Sequence, residues 1–169
     1  LRDVNSWKLA SIPVGYKGYD FGRNNLKSGY NRAKLSWYSI DPIFYSYRSP
    51  NEISSDEVSQ NSTRRIYVDE IFPELDLYQG ESRSQTTFDL SFYPDEKGPY
   101  NNNTTDEFLS DKKNNWAAIT KSINTTNFKK ANVEYIQFWM LDDFGDYDSN
   151  EFEIGEIIFH LGNISEDIL

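Results

Sequence analysis

The chain has 169 residues, with 17 Lys and Arg against 27 Asp and Glu and a formal net charge of -10. Cysteine is absent and histidine occurs once, which excludes disulfides, thiol nucleophiles, cysteine zinc sites and multi-histidine metal sites. The acidic balance argues against nucleic acid as a partner, because that binding depends on basic side chains at phosphates. Aromatic residues make up 16% of the chain, which indicates one folded domain with an aromatic core.

The predicted elements in the first half of the chain are strands of period two. Ala33 to Trp37 alternates polar and apolar residues and ends at the turn signal Asp41-Pro42. Thr86 to Phe92 alternates in the same way, so we expect its apolar side chains to face the core. Weaker strand signals occur at Asn5 to Ala10, Arg65 to Phe72 and Trp116 to Ile123.

Two later segments give the strongest apolar signals. In Val133 to Leu141 nearly every residue is apolar or aromatic, which predicts a central strand buried on both faces, with Trp139 in the core. Ile157 to Leu161 is β-branched and aromatic and is followed by Gly162, which predicts a second strand. We expect these two strands to be joined by a solvated acidic hairpin tip.

Helical signals are sparse. Ser54 followed by Glu57 fits a capping box, while Thr126 to Ala131 and Ser165 onward each allow one further turn of helix. The chain is therefore expected to be mainly β, a single-domain antiparallel β-sandwich, jelly-roll-like, with a few short helices over residues 1–169. Because it begins without Met, we expect it to be a domain excised from a much larger protein.

One acidic stretch has the spacing of a calcium loop. Asp146, Asp148 and Asn150 provide alternating oxygen ligands, but Glu151 stands where an EF-hand needs Gly and Ile157 where it needs Glu. An EF-hand is thereby excluded. An irregular calcium site and a plain hairpin tip both stay open.

No catalytic constellation is visible in the sequence. The nucleophile elbow, the phosphate loop and the dinucleotide-binding glycine pattern are absent, and no pair of acids stands out for glycoside hydrolysis. We expect a protein that is not an enzyme and that needs no cofactor. Aromatic residues in turn-rich segments are the candidate contact surface for a sugar or for another part of a larger protein: Tyr16, Tyr19, Phe21, Tyr30, Tyr45 and Tyr47.

Several blocks together resemble the SprA/Sov family, giant outer-membrane proteins of Bacteroidetes. NRAKLSWYSIDPIF at residues 31–44 is similar to the family's NRA-L-WY-IDP-F segment, and LSFYPDEKGPYN at 90–101 to its L-YYP-E-GPYN segment. ANVEYIQFWMLD at 131–142 and LGNISEDIL at 161–169 resemble two further family segments, and shorter likenesses occur at VDEIFP, 68–73, and WKLASIP, 7–13. Asp143 departs from the family, which usually has Pro there.

The resemblance implies a parent protein that is the translocon of the type IX secretion system, which exports proteins and, in gliding species, motility adhesins. The chain would be a soluble insert on the periplasmic or extracellular side of the outer membrane. Its partners would be other parts of the parent, secretion-system subunits or exported proteins. The family contributes no catalytic residues. The alternative from the residues themselves is a cell-surface carbohydrate-binding β-sandwich module.

Overall fold

A computed structural model of the chain describes residues 3–12, 15–16, 18–19, 25–123, 127–130, 132–142 and 155–161. Its residues divide into two compact units. The first is drawn from Leu1–Tyr38, Phe88–Asn124 and His160–Leu169, and the second from Ser39–Thr87 and Thr125–Phe159. The expectation of one domain stays a prediction.

The described residues form six strands and two single-turn α-helices. The strands are β1 (Lys8–Leu9), β2 (Ala33–Tyr38), β3 (Ile66–Tyr67), β4 (Ser84–Gln85), β5 (Asp89–Lys97) and β6 (Ile119–Thr120). The helices are α1 (Val68–Ile71) and α2 (Glu107–Ser110). Single 3-10 turns cover Val4–Ser6, Leu26–Gly29, Pro42–Tyr45, Glu57–Ser59 and Lys112–Asn114.

The strands pair as three antiparallel two-stranded sheets, β1 with β6, β2 with β5, and β3 with β4. The prediction of a mainly antiparallel β protein with a few short helices is confirmed. The more detailed expectation, a sandwich or jelly roll of two packed sheets, stays a prediction. The first two sheets lie in the first unit, and the third lies in the second unit.

Local sequence signals set several of these elements. β2 runs as the alternation at residues 33–37 predicts, and Asp41 caps the following 3-10 turn because its Oδ1 accepts from the backbone N–H of Ile43 at 2.8 Å. The Ser54–Glu57 capping box is also confirmed. Glu57 Oε2 accepts from Ser54 N at 2.7 Å, and Ser54 Oγ accepts from Glu57 N at 3.2 Å.

The sequence predicts β5 but assigns its faces wrongly. Leu90 and Phe92 are exposed, whereas Asp89 and Ser91 on the opposite face are half-buried. In the pairing with β2, Leu90 lies opposite Trp37 and Phe92 opposite Leu35. A two-stranded ribbon gives each apolar side chain one cross-strand neighbour, so nearly half of each side chain stays in solvent.

The predictions for Val133 to Leu141 and for Ile157 to Leu161 are wrong. Neither segment belongs to a strand, and every residue in both is exposed, with Trp139 at 71%. A strand that is apolar on both faces is buried only if neighbours cover its two faces and pair with its two edges. The described residues supply no strand pairing for either segment, so the predicted core position of Trp139 is also wrong.

The buried side chains in the described part of the chain are few. The apolar ones are Ile12, Ala33, Val68, Phe108 and Trp116. Trp116, 3% exposed, lies in an isolated bridge to Arg32. Four polar residues are buried beside them: Asn31, Arg32, Asn103 and Asn115. Most of these buried residues, polar and apolar, belong to the first unit.

Candidate functional site

The first unit contains a buried polar junction centred on Arg32, which we call the Arg32 cluster: Asn31, Arg32, Ala33, Gly98, Tyr100, Asn101, Asn115 and Trp116. Arg32 is only 4% exposed. Its guanidinium carbon lies 4.8 Å from the ring centroid of Trp116 and 6.0 Å from that of Tyr100. The charge is therefore held against aromatic rings, which favour a cation over their faces.

Arg32 has fewer hydrogen-bond partners than its guanidinium can use. Nη2 donates to the carbonyl of Ala10 at 3.0 Å, but Nε and Nη1 are buried without an acceptor, as is Nε1 of Trp116. Burial lowers the pKa of Arg32, because the charged form loses water. The ring contacts offset part of this loss, and the described residues place no carboxylate in an ion pair with Arg32.

The backbone of Arg32 joins two distant parts of the sequence. Its carbonyl accepts from Gly98 N at 3.0 Å and from Asn101 Nδ2 at 2.7 Å. A Cβ on Gly98 would lie 2.2 Å from the carbonyl oxygen of Ala33, so only glycine allows this approach. Tyr100 adopts a positive φ of 63°, a conformation that non-glycine residues rarely take.

Buried asparagines complete the cluster. Asn31 Nδ2 donates to Asn115 Oδ1 at 3.3 Å, and Asn115 Nδ2 lies within hydrogen-bond distance of the carbonyls of Pro94, 2.8 Å, and Phe108, 2.9 Å. Bonding of this kind satisfies buried amides and fixes the chain segments that carry them. This cluster was not predicted from the sequence. The sequence features that could have indicated it are the glycine and the asparagines that follow β5.

The second unit contains an exposed apolar surface, which we call the Trp139 surface: Ile71, Phe72, Leu75 and Trp139. Ile71 to Leu75 line an open groove directly after α1. Phe72, 42% exposed, meets Trp139 edge to face, with ring centroids 6.0 Å apart and planes at 86°. This geometry suits two aromatic quadrupoles, yet most of the Trp139 ring stays in solvent.

The segment from Val133 to Asp142 is held at its ends. The N–H of Val133 donates to the carbonyl of Phe128 at 3.0 Å, and the carbonyl of Asp142 accepts from Asn61 Nδ2 at 3.3 Å. Just before the segment, Asn132 turns the chain with a φ of 51°. The apolar residues between these anchors are displayed outward. An exposed apolar stretch of this kind marks an interaction site in a soluble protein.

The opposite side of the same segment also carries an aromatic contact. Phe138 and Phe159 lie with ring centroids 4.9 Å apart and planes at 44°, and both rings are exposed. Adjacent residues of this segment, Phe138 and Trp139, thus each contact another aromatic ring while staying exposed. The candidate functional site is this exposed segment together with the groove beside it.

Acidic side chains surround the groove. Asp69 and Glu70 lie in α1, Glu74 lines the groove, and Asp76 follows Leu75, and all four are exposed. Glu70 accepts from Tyr67 N at 2.9 Å and from Arg64 Nη1 at 2.7 Å. These contacts, the backbone one above all, hold the pKa of Glu70 below its ordinary value. Glu70 is therefore a carboxylate at neutral pH.

The tyrosines expected to form a contact surface are divided between the units. Tyr16, Tyr19 and Tyr30 are half-buried in the first unit. In the second unit Tyr45 is half-buried, its hydroxyl donates to Thr63, and Arg65 lies 4.9 Å from its ring centroid. Tyr47 is 90% exposed, with Arg48 5.3 Å from its ring centroid. Phe21 lies outside the described residues.

The proposed calcium ligands Asp146, Asp148 and Asn150 also lie outside the described residues. Within the described ranges, no group of three or more His, Asp or Glu residues is placed to hold a metal ion. No helix among those residues is long and apolar enough to cross a membrane.

No family model matches the sequence, and no curated protein matches it.

Proposed function

We propose that this chain is a non-enzymatic structural and interaction domain of an outer-membrane translocon of the SprA/Sov type. It would serve type IX protein secretion and, in gliding species, the export of motility adhesins. It would form a soluble insert in the parent protein, on the periplasmic or extracellular side. Its partners would be other parts of the parent, secretion-system subunits or exported proteins.

Two of the blocks that carry the resemblance support a structural role, because they meet in the Arg32 cluster. Arg32 and Ala33 come from the block at 31–44, while Gly98 and Asn101 come from the block at 90–101. The residues of these motifs are used in close backbone approach and amide bonding. The described titratable pair between the two blocks, Lys34 with Glu96 at 2.6 Å, is an exposed ion pair and so lacks the burial that shifts a pKa for acid–base catalysis.

The observation that carries the interaction role is the exposure of Val133 to Leu141. This block keeps nine mainly apolar residues in solvent, without strand pairing among the described residues. Unpaired apolar segments of this kind recruit a neighbouring chain by strand addition or by side-chain docking. In a larger assembly, an adjacent part of the assembly would be that neighbour. We infer that the parent protein or its cargo covers this segment.

Export by the full-length parent in its native host tests the proposal. We expect Trp139→Ala combined with Phe138→Ala to lower either the export of type IX cargo or the amount of parent assembled in the outer membrane. The isolated chain should keep its stability, since both rings are exposed. The matched control is Tyr78→Ala, another exposed aromatic of the same unit, 82% in solvent, which should leave export and assembly unchanged. Normal export and assembly by the double variant would contradict the proposal.

A carbohydrate-binding module is the second candidate, favoured by the exposed ring of Tyr47, 90% in solvent. Ring faces of this kind stack on the apolar faces of sugars. A glycan array separates the two candidates. Sugar binding that is lost in Tyr47→Ala would support the second, whereas a chain that binds no glycan and supports export in its parent would support the first.

A further inference from the structure

The charge of the residues around the Trp139 surface indicates which kind of peptide it binds. This inference rests on the proposed function. Residues 68–76 read VDEIFPELD and contain no Lys or Arg. Their apolar members, Ile71, Phe72 and Leu75, form the surface, and their acidic members are all exposed. Apolar and acidic side chains thus interleave along a single short stretch.

Two arginines lie beside this acidic stretch: Arg83, whose carbonyl accepts from Val68 N at 2.8 Å, and Arg64. Arg64 bonds Glu70 with an Nη1 to Oε2 distance of 2.7 Å. On the facing segment, Lys129 and Lys130 precede the turn at Asn132, and from there to the end of the chain the sequence has no further Lys or Arg. Among the described residues, Glu70 is the acid of this stretch that forms an ion pair, so Asp69, Glu74 and Asp76 present negative charge to a partner.

We propose that the Trp139 surface binds an extended peptide segment in which apolar side chains alternate with Lys or Arg. An apolar side chain of that segment would enter the groove between Phe72 and Leu75 and pack on Trp139. Its basic neighbours would then lie near Glu74 and Asp76. Alternation suits an extended chain, because successive side chains point to opposite sides. Opposite charges around an apolar centre give specificity and speed to association.

Three other occupants fit the surface less well than a basic, alternating segment. A second copy of the same surface would bring like charges together, because residues 68–76 of both copies are acidic. An acidic peptide would be repelled for the same reason. A purely apolar segment would leave the carboxylates without partners at the rim of the contact. A basic, alternating segment matches both the groove and its acidic rim.

Fluorescence anisotropy on the purified 169-residue chain tests this. The probe is a labelled peptide in which Lys alternates with Val and Phe. One control peptide has Glu in place of each Lys, and a second has Ser in place of each Val and Phe. We expect the Lys peptide to bind at least about tenfold more tightly than either control peptide, and to bind more weakly as the salt concentration rises.

Variants of the chain locate the binding. Trp139→Ala and Phe72→Ala should each abolish most binding, and Glu74→Gln with Asp76→Asn should weaken it about threefold to tenfold. The matched control for charge is Glu52→Gln with Asp56→Asn, two exposed acids of the same unit. That control should bind like the unchanged chain.

Any of three results would overturn the inference. Equal binding of the Lys and Glu peptides, or unchanged binding when Glu74 and Asp76 are neutralised, would remove the charge selectivity. Full binding by Trp139→Ala would place the contact elsewhere. Each result would leave the export experiment unaffected, so this inference and the proposed function fail separately.

Discussion

The Arg32 cluster and the Trp139 surface both contain aromatic side chains, but Trp116 at the centre of the first is buried and Trp139 at the centre of the second is exposed. In the Arg32 cluster, Trp116 and Tyr100 enclose a guanidinium, and nearby amides bond the surrounding backbone. At the Trp139 surface, Trp139 meets the ring of Phe72, and 71% of the residue is exposed.

The difference between these regions lies in their backbone partners rather than in their aromatic content. Gly98 lets two chain segments approach closely, and Asn101 and Asn115 bond the carbonyls that this approach buries. The segment at Val133 to Leu141 has comparable aromatic character but is bonded at its ends. Burial therefore depends on a second segment that satisfies the backbone, and for the Trp139 surface we assign that role to a partner.

The largest predicted contrast separates Phe108 from Trp139. Phe108 is 0% exposed, so Phe108→Ala should lower the free energy of unfolding by about 3–5 kcal/mol. Trp139→Ala removes a mostly solvated ring and should change it by no more than about 0.5 kcal/mol. Urea denaturation followed by circular dichroism measures both. A loss in Trp139→Ala as large as that in Phe108→Ala would mean that the segment at 133–141 is part of the core.

Glycine substitutions test the close approach in the Arg32 cluster. Gly98→Ala should cost about 3 kcal/mol, because its Cβ would meet the Ala33 carbonyl and the backbone would have to move. Gly155→Ala in the second unit is the matched control, since nothing lies within 4 Å of the added Cβ. Thermal and urea unfolding should separate the two. If both variants unfold like the unchanged chain, Gly98 does not lie as close to the Ala33 carbonyl as the structure has it.

Two substitutions of Arg32 distinguish its packing from its charge. Arg32→Ala removes the stem that packs in the cluster and should cost about 2–3 kcal/mol. Arg32→Met keeps a long apolar stem and removes two unsatisfied buried donors, so it should cost about 1 kcal/mol or less. The free energy of unfolding from urea titrations checks the order. Equal losses for Met and Ala would show that the charge itself stabilises the cluster.

The smallest predicted effect concerns pH and Glu70. Because its pKa is lower in the folded chain than its ordinary value of 4.5, its ionised form stabilises the fold. This contribution is fully present above the ordinary pKa and is lost as the pH falls through the folded one. Glu70→Gln should therefore be less stable than the unchanged chain at about pH 7, and the difference should disappear below the folded pKa. A difference in urea midpoint that persists in acid would contradict this assignment.

The sequence predicts those features that neighbouring residues determine. The alternation in β2, the capping box of Ser54 and Glu57, and the cap at Asp41 each depend on residues within one turn or one strand. The same is true of the antiparallel β character, since period-two patterns and turn residues are local signals. These predictions are confirmed.

Burial and long-range contacts could not be predicted in this way. The apolar pattern at Val133 to Leu141 indicates that its side chains would be buried by neighbouring segments, but it does not say whether those segments belong to this chain. The alternation in β5 likewise does not say which face a two-stranded ribbon leaves in solvent. The pairing of Arg32 with Trp116 joins segments far apart in sequence, so no local period indicates it.

Oxidation of Met140 tests the proposed interaction role directly, because the segment at Val133 to Leu141 should be exposed in the isolated chain and covered in the translocon that we propose as its parent. Met140 is the one methionine of the chain and is 66% exposed, and buried Trp116 is an internal control. Hydroxyl-radical footprinting should oxidise Met140 readily in the isolated chain and much more slowly in the assembled outer-membrane protein, with Trp116 protected in both. Equal oxidation of Met140 in the two states would contradict the account.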